Sequence, residues 1–218
     1  MSDDSDTDSD AGTNTDTGVE NVPSNRHKDT INVHRDVLCQ TSEFFAKATK
    51  GEWCELREDP DTITLKGDDL EVVKAYVRWL YRQDPPLPLL NSSVVNVYPF
   101  LAKAYVFGEK VIDTTFKDAV IDCIVARAVE TKSFPTSQTM NIIYRGTLDG
   151  SPARRLMVDF CVDGAYVRPE YDAWVQSIRG FSKELLADVV VGMVQKRPSL
   201  NKNPWTGASH LYHEGKKG

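Results

Sequence analysis

Between Leu70 and Tyr81 the side chains Leu70, Val73, Tyr76, Val77, Trp79, Leu80 and Tyr81 recur at the 3.6-residue period of a helix. A stripe this apolar cannot stay in water, so the helix needs a packed surface to lie against. That requirement constrains the fold more than any other feature of the chain. Asp68 or Asp69 can cap the first turn, and Pro85-Pro86 ends the pattern because proline supplies no amide hydrogen and clashes with the preceding turn.

The period continues downstream. Pro99 fits the first turn of a helix over Phe100–Phe107 that Gly108 should end. Asp113, Thr114 or Thr115 then caps a longer helix through Phe116, Val120, Cys123 and Ile124 to Val129. Thr139 to Arg145 forms the next helix. Ser151-Pro152 opens one that buries Leu156, Met157, Phe160 and Cys161, and the last runs from Ser182 through Leu185, Leu186, Val189, Val190 and Met193. Residues 84–93 (DPPLPLLNSS) read as a loop.

Before Leu70 the pattern is mixed. Thr30-Ile31-Asn32-Val33 alternates like a short strand, and His34-Arg35-Asp36 leads into Val37, Leu38, Thr41, Phe44, Phe45 and Ala48 at helical spacing. Gly51 and the polar stretch to Pro60 interrupt it, and Thr62-Ile63-Thr64-Leu65 reads as a second strand ended by Lys66-Gly67. The expected class is therefore α+β and mostly helical: a small sheet capped by a helical cluster, with a C-terminal helical extension.

Charge narrows the function classes. The first 25 residues carry seven carboxylates and no Lys or Arg, so they hold −7 of the chain's net −6 and leave the remainder at +1. A near-neutral body lacks the basic footprint of direct nucleic-acid binding or of an anionic membrane surface. With little to bury, residues 1–26 are expected to be a disordered acidic tail, whose Ser5-x-x-Asp8 and Thr7-x-x-Asp10 patterns are read as solvating acid runs. Cys39, Cys54, Cys123 and Cys161 form no Cys-x-x-Cys pair and read as reduced, buried thiols. No membrane span is visible, and the expected location is intracellular, cytoplasmic or nuclear. His210-x-x-His213, in an expected flexible tail at 198–218, has metal-like spacing without further ligands, so no metal is assigned. Nucleophile-elbow, P-loop and dinucleotide signatures are missing from the sequence. No catalytic residue, cofactor or enzymatic reaction is therefore predicted.

The order strand, helix, strand, then helices resembles the BTB/POZ family of protein-interaction modules, particularly its fungal members. Carrying the resemblance are Val33, His34, Arg35, Asp36 and Leu38, with Ser42-x-Phe44-Phe45, and Trp79-Leu80-Tyr81 closing the helix after Ile63-x-Leu65. Ala104 to Asp113, Phe116 to Val120, Ile143-Tyr144-x-x-Thr147 and Ser151-Pro152-x-Arg154-Arg155-Leu156 resemble runs of the fungal members. The resemblance covers residues 30–165. It implies a domain over 27–130, a helical extension over 131–197, and a non-enzymatic adaptor whose candidate partner is a cullin scaffold of a ubiquitin ligase. A chromatin- or transcription-associated scaffold is the alternative.

His34 reads as a packing residue. Arg35, Trp53, Asp68, Asp69, Glu71 and Tyr105 are the candidate partner surface, and Trp174 is a further aromatic able to anchor an interface. The family's opening strand, of the type S-D-V-x-L-x-V, has no counterpart here. Its absence removes part of the surface through which family members dimerise and leaves Thr30–Val33 as an expected sheet edge.

Overall fold

The computed structural model describes residues 29–87, 97–164 and 171–197, excluding the side chains of Cys54 and of residues 171–174. The expected acidic and C-terminal tails, the His210/His213 pair, most of the loop at 84–93 and the Trp174 side chain lie outside the described residues. The chain divides into two units, Met1–Thr30 and Ile31–Gly218. The second contains ten described helices: α1 Arg35–Cys39, α2 Glu43–Ala48, α3 Gly51–Cys54, α4 Leu70–Arg82, α5 Tyr98–Lys110, α6 Thr114–Thr131, α7 Ser137–Gly146, α8 Pro152–Gly164, α9 Tyr171–Ile178 and α10 Lys183–Lys196.

The α+β expectation fails, since the described residues include no strand. Residues 30–33 and 62–65 are extended without a ladder. In the second, Thr62 and Thr64 face solvent while Ile63 and Leu65 pack against the core. The period-2 alternation is real, but it records a chain lying along a helical surface. A sheet needs a partner backbone at hydrogen-bonding distance, and alternation alone does not supply one.

The α4 stripe forms the seam, turned slightly from its predicted position. Val72, Ala75, Tyr76, Trp79 and Leu80 are buried, whereas Tyr81 is exposed. Tyr76 meets Phe116 edge-on at 4.8 Å and Phe107 at 5.3 Å, and Trp79 meets Phe116 at 5.2 Å. Helices α5 and α6 thus close over α4 through aromatic edges, a geometry preferred over flat sandwiches.

Gly108 does not end α5. It lies within the helix because a Cβ there would stand 2.7 Å from Lys117 Cγ and 3.1 Å from Phe116 Cδ1, so its bare backbone lets α6 approach. The helix stops at Val111, and Ile112 turns the chain at φ 53°, left-handed backbone that a β-branched residue rarely adopts. Asp113 then caps α6, accepting from the Phe116 amide at 3.0 Å.

The single helix expected across Val37–Ala48 is broken in two. Ser42 takes an extended conformation, accepts from the Phe45 amide and donates to the Val111 carbonyl at 2.5 Å. The amides of Glu43 and Phe44 reach the carbonyls of Ile112 and Val111. Donors that a helix start leaves unpaired are thereby joined to acceptors of the distant α5–α6 turn. The short helices α3 and α9 were not anticipated, because neither has an apolar period long enough to register.

Asp113 sits at this junction, fully buried. Its Oδ2 accepts from Thr41 Oγ1 at 2.5 Å and Tyr76 Oη at 2.9 Å, and its Oδ1 accepts from Thr115 Oγ1 at 2.8 Å in addition to the Phe116 amide. Burial, followed by the charge of Asp113, pushes the Tyr76 phenol far above its ordinary range, so this hydroxyl remains a donor. Asp113→Ala would orphan buried donors and remove a helix cap, and should cost about 3 kcal/mol or more in urea unfolding. Tyr76→Phe should cost about 1 kcal/mol. Gly146→Ala should destabilise by about 1–3 kcal/mol, because its Cβ would lie 2.3 Å from Val106 Cγ2.

Candidate functional site

The motif residues serve mainly to build the body. Ser42, Phe45, Trp79 and Leu80 are buried, Leu38 and Phe44 pack against the core, Val33 is half-buried, and Asp36 is an exposed carboxylate in the first turn of α1. His34 and Tyr81 meet across 47 positions. The His34 amide donates to Tyr81 Oη at 2.9 Å, and the His34 Nδ1 lies 2.7 Å from the same oxygen. This pair fastens the start of α1 to the end of α4.

The candidate partner surface separates into three groups. Tyr105 is the correction: it is only 1% exposed, with its hydroxyl 3.3 Å from Ser151 Oγ. The α5 face that carries it packs inward, so it is a core residue unable to meet a partner. Asp68, Asp69 and Glu71 gather on one ionic edge, where Asp68 pairs with Lys110, Asp69 with Lys103 at 2.8 Å, and Glu71 with Lys74 at 2.8 Å. Asp69 also caps α4 through the Glu71 amide. The hydrogen bond from Lys103 leads the influences that hold the Asp69 carboxyl below its usual range. Asp68 and Asp69 fix the loop before α4 onto α5, while Glu71 pairs within α4 itself. Arg35 and Trp53 form the third group, exposed on α1 and α3.

Trp53 is 59% exposed and Leu56, which sequence reasoning did not single out, is 80% exposed. The chain around them is held locally. Arg57 donates to the Ala48 carbonyl, and Asp59 accepts from the Asp61 amide at 3.1 Å and from Thr62 Oγ1 at 2.6 Å. Two large apolar side chains are thus presented to water from an anchored segment, an arrangement enriched at protein interfaces.

The perturbed tyrosines and cysteines lean toward their neutral forms. Burial leads in raising Tyr98, Tyr144 and Cys123, and it pushes the Cys161 thiol up to about 12. A thiol held protonated is a poor nucleophile and metal ligand. Among the described residues, no group of three or more His, Cys, Asp or Glu is placed to hold a metal ion, and no helix is long and apolar enough to cross a membrane. A groove of about 390 Å³ runs between α8 and α10, lined by Arg155, Val158, Asp159, Asp188, Val191 and Lys196 among others. No motif pointed to it, because it arises from two helices distant in sequence.

Compared with known proteins, the chain matches no family model, no curated protein and no solved structure.

Two measurements check these assignments. The depressed Asp69 pKa means that its contribution to stability is present above the ordinary carboxylate range and is lost as pH falls through the folded-state value. In NMR titration of the folded protein, Lys103→Met should move the Asp69 midpoint upward. Cys161 should resist alkylation at pH 8 in the folded protein and react once the chain is unfolded in urea.

Proposed function

We propose that this chain is a non-enzymatic protein-interaction adaptor whose docking surface centres on Trp53 and Leu56. The observation that carries the reading is the exposure of these two apolar side chains on a segment fixed by Arg57 and Asp59. A rigidly presented aromatic loses little conformational freedom when a partner covers it. By the BTB/POZ resemblance, the candidate partner is a cullin scaffold of a ubiquitin ligase. The sheet of that family forms no part of the proposal. The ionic edge at Asp68, Asp69 and Glu71 acts as a brace for α4, because its carboxylates already have intrachain partners.

The test is recovery of a cullin with tagged full-length protein, followed by direct titration of the purified pair. Trp53→Ala with Leu56→Ala should weaken binding at least tenfold, an interfacial anchor being worth about 2 kcal/mol, while leaving the melting temperature within a degree or two. Asp69→Asn should lower stability and leave cullin affinity unchanged. Absence of cullin with the unmodified protein, or undiminished binding by the double variant, would overturn the reading.

A further inference from the structure

The stretch that presents Trp53 and Leu56 is also one where carboxylates are left without cations. Residues 50–61 hold Glu52, Glu55, Glu58, Asp59 and Asp61 against Lys50 and Arg57, a net −3, although the chain beyond its first 25 residues sums to +1. All five carboxylate residues are exposed. Arg57 does not balance them, because its guanidinium donates to the backbone carbonyls of Ala48 and Pro60. Among the described residues none of the five forms an ion pair, whereas Asp68, Asp69 and Glu71 beside α4 are each matched to a lysine. Hydrogen bonds from Thr62 and then from the Asp61 amide hold the Asp59 carboxyl below its ordinary range.

We propose that the occupant of the Trp53/Leu56 face is a basic segment of a partner protein, in which lysines or arginines flank apolar side chains. This deepens the adaptor reading and rests on it. Trp53 and Leu56 are three residues apart at the end of α3, and Glu52, Glu55 and Glu58 repeat at the same spacing. Each apolar residue therefore has a glutamate as its chain neighbour, about 3.8 Å away between Cα atoms. That separation is well inside the Debye length of about 8 Å at physiological salt, so cations beside the partner's apolar groups would gain from these carboxylates. Apolar anchors hold such a contact, while rim charges speed the encounter and reject wrong partners.

The sign of the charge rules against the other occupants. A second copy would set −3 against −3. The chain's own acidic first 25 residues, an anionic membrane and a nucleic acid would each meet like charge as well.

The probe is a short peptide in which lysine pairs separate leucines, with a glutamate-for-lysine version as control. Each is titrated into the full chain while the Trp53 indole resonance is followed by NMR. The basic peptide should move that resonance and the acidic one should not. Raising salt from about 50 mM to about 500 mM should weaken binding at least tenfold. At low salt, Glu52→Lys with Glu55→Lys and Glu58→Lys should weaken it at least tenfold and flatten the salt dependence, with helical circular dichroism unchanged. The corresponding triple Gln variant, which removes charge but keeps size, should fall between. Trp53→Ala with Leu56→Ala should also weaken binding, read by calorimetry. No shift of the Trp53 resonance, equal binding of the two peptides, or undiminished binding by the triple Lys variant would each overturn the proposal. Cullin bound through Trp53 and Leu56 with an affinity that neither salt nor charge reversal changes would overturn it too, and would leave the adaptor standing. Failure to recover a cullin, alongside peptide binding with the expected dependences, would remove the cullin and leave the basic occupant.

Discussion

The buried carboxylate of Asp113 is the joint on which the N-terminal half of the body depends. Its two oxygens take hydrogen bonds from Thr41, Tyr76, Thr115 and the Phe116 amide. One side chain therefore connects the α1–α2 break, the centre of α4 and the start of α6. In a low-dielectric interior such a group is tolerated only when its acceptor sites are filled. The neighbouring Val111 and Ile112 carbonyls complete the arrangement by receiving Ser42 Oγ and the first amides of α2. The aromatic cluster of Tyr76, Trp79, Phe107 and Phe116 then shields the joint from water.

The sequence made some of this legible and hid the rest for identifiable reasons. The α4 seam, a cap within Asp113–Thr115 and the last helix beginning at Ser182 were readable because local periodicity and capping chemistry decide them. Asp113 appeared only as a cap; its links to Thr41 and Tyr76 span 72 and 37 positions, beyond the reach of local pattern. The same limit explains Gly108. A glycine at the end of an apolar run normally signals a stop, but here it gives α6 room to approach. The extended segments misled because half-burial produces the same alternation whether the neighbour is a strand or a helix. Tyr105 misled similarly, since its place on an exposed or buried side of α5 depends on which helices pack there. Of the candidate site, Trp53 was visible by its polar surroundings, while Leu56 and the α8/α10 groove carried no local signal.

Charge and apolar surface divide the exterior by task. Lysines of α4 and α5 are engaged by Asp68, Asp69 and Glu71, and Lys196 by Asp159 and Asp163. Such exposed pairs contribute little stability singly, but they set the direction in which loops leave the helices. Exposed apolar groups such as Trp53, Leu56 and the α10 valines lie outside that ionic framework, and these are places where the body can gain by being covered.

The position of Asp113 also governs the order in which the protein can be completed during synthesis. Thr41 and Tyr76 leave the ribosome before the carboxylate they require, and α2 emerges before the carbonyls that receive its first amides. Until translation has passed Phe116, the aromatic face of α4 has no cover and its buried hydroxyl no acceptor. The first hundred residues therefore cannot close as an autonomous unit, and a nascent chain of that length exposes a surface suited to chaperones.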